Sequence, residues 1–320
     1  MRTCTSIDEH PTASLADVPD APAAEIVADE ALVRRLLADQ AHAIAGADRM
    51  PLRLVAEGWD NHVWRLGEQW AVRVPRRAVA APLIENEQRW LPMLGPRITA
   101  ASGLSTPVPV VRGTRSTAFP WPWSVVAWRP GRPAVDVEVE ERGAWAEPLG
   151  RALRALHSPA PRLHPSNPFR GVPLRARDDA IRARLGQLAV RDTDPGLARA
   201  ATAAWNTALG APPWAGPPVW IHGDLHPGNL IARNGRLTAI IDFGDLTAGD
   251  PAYDLAVAWL AFDDAGRRTF IEATEVTDAA TWTRARGWAA AMGAILAVGS
   301  DDRPDYRRLG EGALRRLAAG

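Results

Sequence analysis

The run His222-Gly223-Asp224-Leu225-His226-Pro227-Gly228-Asn229 gathers a carboxylate, two imidazoles and a side-chain amide, and Asp242-Phe243-Gly244 follows one short hairpin later. The order H-x-D-L-x-x-x-N and then D-F-G is that of a phosphoryl-transfer site. A triphosphate needs a hard metal bridging its oxygens, and a carboxylate at a strand end with an amide from a nearby loop suits Mg²⁺. Asn229 and Asp242 fit those two roles. The attacking hydroxyl must also be aimed in line and give up its proton, and Asp224, five residues before Asn229, can face the acceptor rather than the metal. Asp224 is therefore the candidate catalytic residue. His222 opens the loop and is expected to brace backbone, as is His226. A competing chemistry, a Zn²⁺- or Mn²⁺-dependent hydrolase on the HGDLH cluster, would want further His or carboxylate ligands, and the remaining histidines are scattered singly.

The elements that must hold these residues can be read from periodicity. Residues 1–28 mix Thr, Ser, Pro, Asp and Ala without a period and are expected to form a disordered leader. A helix is expected over 29–46, ending on Gly46. LRLVAE, HVWRL and WAVRV then read as three short antiparallel strands. Pro82 opens a helix running through Glu87, Leu91 and Leu94, and strand signals return at 108–111 and 124–128. After Pro130-Gly131 the chain turns helical, at 142–157, 174–187 and 196–209. Strands recur at VWIH, NLIAR and LTAIID, the last two joined by the hairpin signal Asn234-Gly235, and helices resume from Pro251. The expected fold is α+β: a small N-terminal antiparallel-sheet lobe over residues 29–130, which would bind nucleotide, and a larger, mainly helical C-terminal lobe over 131–320.

The stretch WIHGDLHPGNLIARNGRLTAIIDFGDLTAGDPAYDLA resembles the aminoglycoside phosphotransferase family, whose members share the two-lobed protein-kinase-like fold. The layout from about residue 30 to 320 is compatible, and residues 220–255 carry the specificity. The resemblance implies Asp224 as catalytic aspartate, Asn229 and Asp242 as metal ligands, Asp250 as the cap of the next helix and Asp254 as a brace for the loop backbone. It also implies a cation on the third strand gripping the α- and β-phosphates, paired with a helix glutamate. Arg73 and Glu87 are the candidates, with Glu85 competing for the second role. Arginine departs from the lysine of kinases, although relatives similar to macrolide kinases use arginine here; its fixed charge and forked donors suit phosphate. Gly58 to Asn61 lies where a phosphate-covering turn is expected, without the full G-x-G-x-x-G. Val126, Ala127 and Trp128 would offer backbone groups to a purine, and Trp128 suits a core equally well in a chain with 14 tryptophans.

Composition narrows the partners. The chain has 37 basic and 37 acidic side chains, every basic one an arginine, so no global field draws it to nucleic acid or an anionic membrane. The single cysteine, Cys4, excludes an intramolecular disulfide, and neither a secretory h-region nor a membrane-spanning run is present, so a cytoplasmic location is expected. The expected partners are a nucleoside triphosphate, ATP or GTP, and a small hydroxylated acceptor: an aminoglycoside, a macrolide or a metabolite. Asp263, Asp264, Glu272, Glu275 and Asp278 would suit a polycationic acceptor; Trp259, Trp282 and Trp288 an apolar one. A nucleotide-binding pseudokinase without transfer activity is the alternative. Absence of an A-P-E segment after Asp242-Phe243-Gly244 favours small acceptors over proteins.

Overall fold

The computed structural model describes residues 22–191, 195–300 and 303–319. The expected leader, with Cys4, lies outside the described residues as far as residue 21. Residues 22–28 are laid against the sheet: the backbone N–H groups of Glu25 and Ile26 donate to the Arg76 carbonyl at 2.9 and 3.2 Å, and Ala28 is buried. Their apolar side chains find a core that composition alone does not announce.

Helix α1 (Glu30–Gln40) starts at Asp29, whose carboxylate accepts the Leu32 N–H at 2.7 Å, and buries Leu32, Val33, Leu36 and Leu37. It stops well before Gly46, which adopts φ 69° ahead of a short turn. Strands β1 (Leu52–Glu57), β2 (Asn61–Leu66) and β3 (Trp70–Pro75) form the antiparallel meander; β4 (Pro109–Gly113) and β5 (Trp123–Ala127) complete a five-stranded sheet in the order β1-β2-β3-β5-β4. Between β3 and β4, α2 (Ala81–Ser102) passes straight through Pro92 and Pro96 to a left-handed Gly103. It continues past Leu94 and both prolines because Leu91, Leu94 and Ile98 are buried, and that packing outweighs the hydrogen bonds the prolines cannot make.

The C-terminal region holds β6 (Arg132–Pro133), α3 (Ala146–Leu156), α4 (Asp178–Arg191), α5 (Pro195–Gly210), β7 (Val219–Ile221), β8 (Leu230–Arg233), β9 (Arg236–Ile240) and β10 (Thr247–Gly249). Five helices follow: α6 (Ala252–Leu255), α7 (Val257–Ala261), α8 (Asp264–Thr274), α9 (Ala279–Gly299) and α10 (Pro304–Ala319). Asn234 and Gly235 both take positive φ, 52° and 72°, which gives the β8–β9 turn the backbone that a two-residue hairpin requires. Strand β10 has no strand signal of its own and forms by pairing back onto β7.

Two apolar cores lie on either side of the site. One gathers α1 with Trp64, Val72, Val111, Trp123 and Val125 of the large sheet; the other joins the C-terminal helices to β7–β9. The far half of α2 belongs to the second core, and Trp90 packs on Trp220 of β7 with ring centres 4.8 Å apart. A single helix thus carries Glu87 in its first half and is seated in the C-terminal core by its second.

Candidate active site

Strand β7 delivers the chain into the loop 222–229. The His222 ring is buried, its Nε2 donating to the Ile241 carbonyl at 2.9 Å and its Nδ1 accepting the Asp224 N–H at 3.2 Å. Phe243 packs on the same ring, at 4.4 Å between centres. His222 therefore joins the loop to the end of the β9 segment through two backbone contacts and the Phe243 ring. Gly223 adopts φ 85°, and a Cβ there would stand 2.3 Å from the Asp245 carbonyl oxygen, so glycine is required. Asp254 of α6 accepts the N–H groups of His222 and Gly223 at 2.7 and 3.0 Å, and lies 3.2 Å from His157 Nε2. Asp250 accepts the Ala252 N–H at 3.0 Å where α6 begins, and its larger engagement is a buried ion pair with Arg284 of α9 at 2.6 Å.

Asp224 stands partly open to solvent. Asn229 Nδ2 donates to its carbonyl at 2.8 Å and its carboxylate at 3.3 Å, and His226 Nε2 lies 3.5 Å from Oδ2. His226 Nδ1 accepts the Gly228 N–H at 3.0 Å, so its proton sits on the nitrogen facing Asp224. The imidazole does more than brace backbone. Burial pushes the Asp224 carboxyl up, but His226, Arg170 and His222 outweigh it and hold the group well below the ordinary carboxylate range.

The Ile241 N–H donates to the Asn229 carbonyl at 2.9 Å, which brings Asn229 and Asp242 to the same face. Asp242 has φ 61°, a left-handed conformation that aspartate tolerates better than most residues, and its side chain is 54% exposed. With Asn229 Nδ2 spent on Asp224, the amide leaves its oxygen for other partners. A half-open carboxylate beside an amide oxygen is a hard-oxygen donor set of the kind Mg²⁺ takes, so the residues present fit that ion.

From above, Arg73 of β3 pairs with Glu87 through Nη1 and with Asp242 Oδ1 through Nη2 at 3.2 Å. Burial pushes the Glu87 carboxyl up against the pull of Arg73. Glu85 instead pairs with exposed Arg115 at 3.0 Å, so the structure separates the competing glutamates. The Gly58–Asn61 turn closes by a 2.9 Å bond from Gly58 N–H to the Asn61 carbonyl, and Arg76 and Arg77 fasten it at the Gly58 carbonyl and the Asp60 carboxylate, both about as short as ordinary hydrogen bonds. Val126 is buried in β5, paired with Ala71. Trp128 spends its N–H on the Gln69 carbonyl at 2.7 Å and lies under the Arg65 guanidinium, so its amide is not free for a purine.

Sequence reasoning missed Arg170, Asp245, Asn167 and Tyr253, which meet beside Asp224. Asp245 and Tyr253 stood within the quoted stretch, beside Gly244 and Asp254; no spacing rule ties residue 170, in a proline-punctuated stretch, to residue 224. The hydrolase reading loses its ligands, because both His222 nitrogens are taken by backbone, and among the described residues no group of three His, Cys, Asp or Glu is placed to hold a metal. Four of the five candidate acidic wall residues are engaged elsewhere: Asp263 and Asp278 start α8 and α9, Asp264 pairs with Arg267 and Glu275 with Arg154. Trp259 and Trp282 meet at a tilt with ring centres 6.4 Å apart, and Trp288 packs between Trp205 and Tyr253. A cavity of about 580 Å³ opens between the loop after Arg170 and the C-terminal helices, lined by Gly171, Leu174, Trp214, Asp250 and Arg284 among others. No helix among the described residues is long and apolar enough to cross a membrane.

Residues 51–288 match the family model of the phosphotransferase enzyme family, APH. Among solved structures, the GDP and kanamycin complex of APH(2")-IIia is 19% identical, with TM-score 0.59 over 90% of this chain and 98% of that one. The apoenzyme of macrolide 2'-phosphotransferase MphH from Brachybacterium faecium is 21% identical, with TM-score 0.55 over 90% of this chain and 98% of that one. At these identities the likeness is one of fold, the two-lobed kinase-like architecture. YcbJ of Bacillus subtilis (strain 168), an uncharacterized protein, is 32% identical over 72 residues, 22% of this chain. That match spans 24% of YcbJ's own length.

Proposed function

The chain belongs to the phosphotransferase enzyme family, and from that premise we propose that it transfers the γ-phosphoryl group of ATP or GTP to a hydroxyl of a small molecule, with Asp224 as the base. The observation that carries this reading is the convergence of Asp224, Asn229, Asp242 and the Arg73–Glu87 pair on one face between the lobes. Asn229 and Asp242 would hold Mg²⁺, which when bound neutralises charge developing on the triphosphate oxygens. Arg73, held in line by buried Glu87, binds the phosphates as a fixed cation. Asp224 accepts the hydroxyl proton as the acceptor oxygen bonds to phosphorus and the bond to the leaving nucleoside diphosphate breaks. Its depressed basicity suits a base that aims a hydroxyl and collects a proton late.

The short link after the Asp242-Phe243-Gly244 motif supports a small acceptor. Three of its residues pair with β7 as β10, and α6 begins at Ala252, so no extended platform for a peptide is formed. Antibiotics are natural candidates, since the similar structures include a kanamycin complex and a macrolide phosphotransferase. Incubation with labelled ATP or GTP, Mg²⁺ and a panel of aminoglycosides, macrolides and hydroxylated metabolites, with products resolved by mass, tests the reading. Phosphorylation of at least one compound is expected. Labelling of proteins with every small acceptor unmodified would overturn it, and nucleotide binding without any turnover would favour the pseudokinase alternative.

A further inference from the structure

The catalytic loop holds Asp224 from one side; the other side is taken by an arginine from outside every motif. We propose that Arg170 is a positioning residue that clamps the Asp224 carboxylate in its acceptor-facing orientation and ties it to the segment following Asp242-Phe243-Gly244. The inference rests on the reading of Asp224 as the base.

Each part of the guanidinium has a partner. Nη2 donates to Asp224 Oδ1 at 3.3 Å and lies 3.0 Å from Asp245 Oδ2; Nε donates to Asp245 Oδ2 at 3.1 Å; Nη1 donates to the Tyr253 hydroxyl at 2.7 Å. Acceptors on different elements fix the plane of a rigid fork. The anchors are themselves held: Asp245 Oδ1 accepts from Asn167 Nδ2 at 2.9 Å, and the Tyr253 ring packs edge-on against Trp288.

The backbone that carries Arg170 is held just as firmly. Asn167 Oδ1 accepts the N–H groups of Phe169 and Arg170 at 2.9 and 3.2 Å, and Thr247 Oγ1 donates to the Pro165 carbonyl at 2.7 Å. The Asp250 N–H donates to the Gly171 carbonyl at 3.3 Å. Gly171 and Gly249 approach so closely that a Cβ on Gly249 would stand 2.1 Å from the Gly171 carbonyl oxygen.

Arg170 is the partner of Asp224 Oδ1, whereas His226 and Asn229 both engage Oδ2, at 3.5 and 3.3 Å; without Arg170 the carboxylate would be held by one oxygen and could turn about its side-chain bonds. A base must sit within hydrogen-bond reach of the proton it takes, and a displacement of about 1 Å costs about 10²-fold in rate. Arg170 also separates the like charges of Asp224 and Asp245. Because its donors are engaged by the chain itself, it acts through Asp224 rather than by gripping the acceptor.

The test is steady-state kinetics of wild type, Arg170→Ala, Arg170→Lys, Asp224→Ala and the Arg170→Ala/Asp224→Ala double variant, on an acceptor found with the panel above. Calorimetry with Mg-nucleotide accompanies each variant. Arg170→Ala should lower kcat by about 10- to 100-fold with nucleotide affinity and acceptor KM unchanged, and Lys should restore part of the loss. In the Asp224→Ala background, removing Arg170 should not lower residual turnover further, because no carboxylate is left to aim. If Arg170→Ala does not fold, Tyr253→Phe, which removes one anchor and keeps the guanidinium, should give a smaller kcat loss that likewise vanishes in the Asp224→Ala background. Full kcat in Arg170→Ala, an equal fall in both backgrounds, or a raised acceptor KM at unchanged kcat would overturn the clamp. A wild type inactive on every acceptor would instead overturn the functional reading and this inference with it, so the two failures are told apart by the wild-type control.

Discussion

At the residue scale, three side chains with distinct partners should fail in distinct ways. The polar partners of the Asp224 side chain, Arg170, His226 and Asn229, all belong to the C-terminal region, so Asp224→Ala is expected to lower turnover by about two to four decades while nucleotide affinity stays near normal. Isothermal titration alongside single-turnover kinetics reads both halves. Asp242 is different, since the triphosphate would lose its counter-ion: Asp242→Ala should abolish Mg²⁺-dependent nucleotide binding, and unchanged Mg-nucleotide affinity would remove Asp242 from the metal site. Arg73 shares an oxygen of Asp242 and buries Glu87 beneath it. Arg73→Ala should weaken nucleotide binding and also leave a buried carboxylate alone, whereas Arg73→Lys keeps the charge without the fork and should bind with intermediate affinity. Equal nucleotide affinity in wild type and Arg73→Ala would return that arginine to a structural role.

At the scale of elements, the site depends on a strand with no autonomous signal. Strand β10 exists because Thr247, Ala248 and Gly249 find Ile221, Trp220 and Val219 opposite them, and it leaves room for the Arg170 segment only because residues 171 and 249 are glycine. Gly249→Ala puts a methyl group against the Gly171 backbone, which no side-chain rotation can relieve. A loss of about 1–3 kcal/mol in stability is expected, with a larger fall in kcat than in nucleotide affinity, because the displaced segment carries Arg170 and neither Arg73 nor Asp242. Urea unfolding and calorimetry separate the two effects. A variant with wild-type stability and turnover would show that the segment has slack the close approach denies. Helix α2 carries a complementary lesson: a stretch containing Pro92 and Pro96 would end a helix in isolation, and continues here because its far half is buried against the C-terminal core.

At the scale of the whole molecule, the C-terminal region is tied together by charged groups whose partners lie far apart in the chain. Arg284 of α9, almost wholly buried, pairs with Asp250 and donates to the Pro212 carbonyl at 2.7 Å, linking the helical wall to the end of β10. Arg284→Ala leaves Asp250 buried without its cation and should cost about 3–5 kcal/mol, read as a lower urea midpoint with unchanged slope. Binding should act in the opposite direction. Mg-nucleotide at a hundred times its Kd should stabilise the folded state by about 2.7 kcal/mol, a shift in melting temperature that Asp242→Ala removes and Asp224→Ala keeps.

The elements and motif residues were legible because their signals are local. Period-two runs mark β1 to β5, Asn234-Gly235 marks the β8–β9 hairpin, and the spacing from His222 to Asn229 and on to Asp242 marks the loop that gathers the site residues. Local signals also place the end of α1 too late, leave the run of α2 past Pro92 and Pro96 unread and assign residues 22–28 to the leader, because each of those outcomes is decided by burial against distant chain. Which glutamate faces Arg73, which donors Trp128 has left and how the Asp224 carboxylate is held were beyond the sequence for the same reason. Glu85 and Glu87 are alike until the helix is docked with one face on the sheet, and Arg170 reaches Asp224 across 54 residues of chain. Residue types and spacing determined which chemistry was available; tertiary packing decided which groups are desolvated together, and so which of them act as one site.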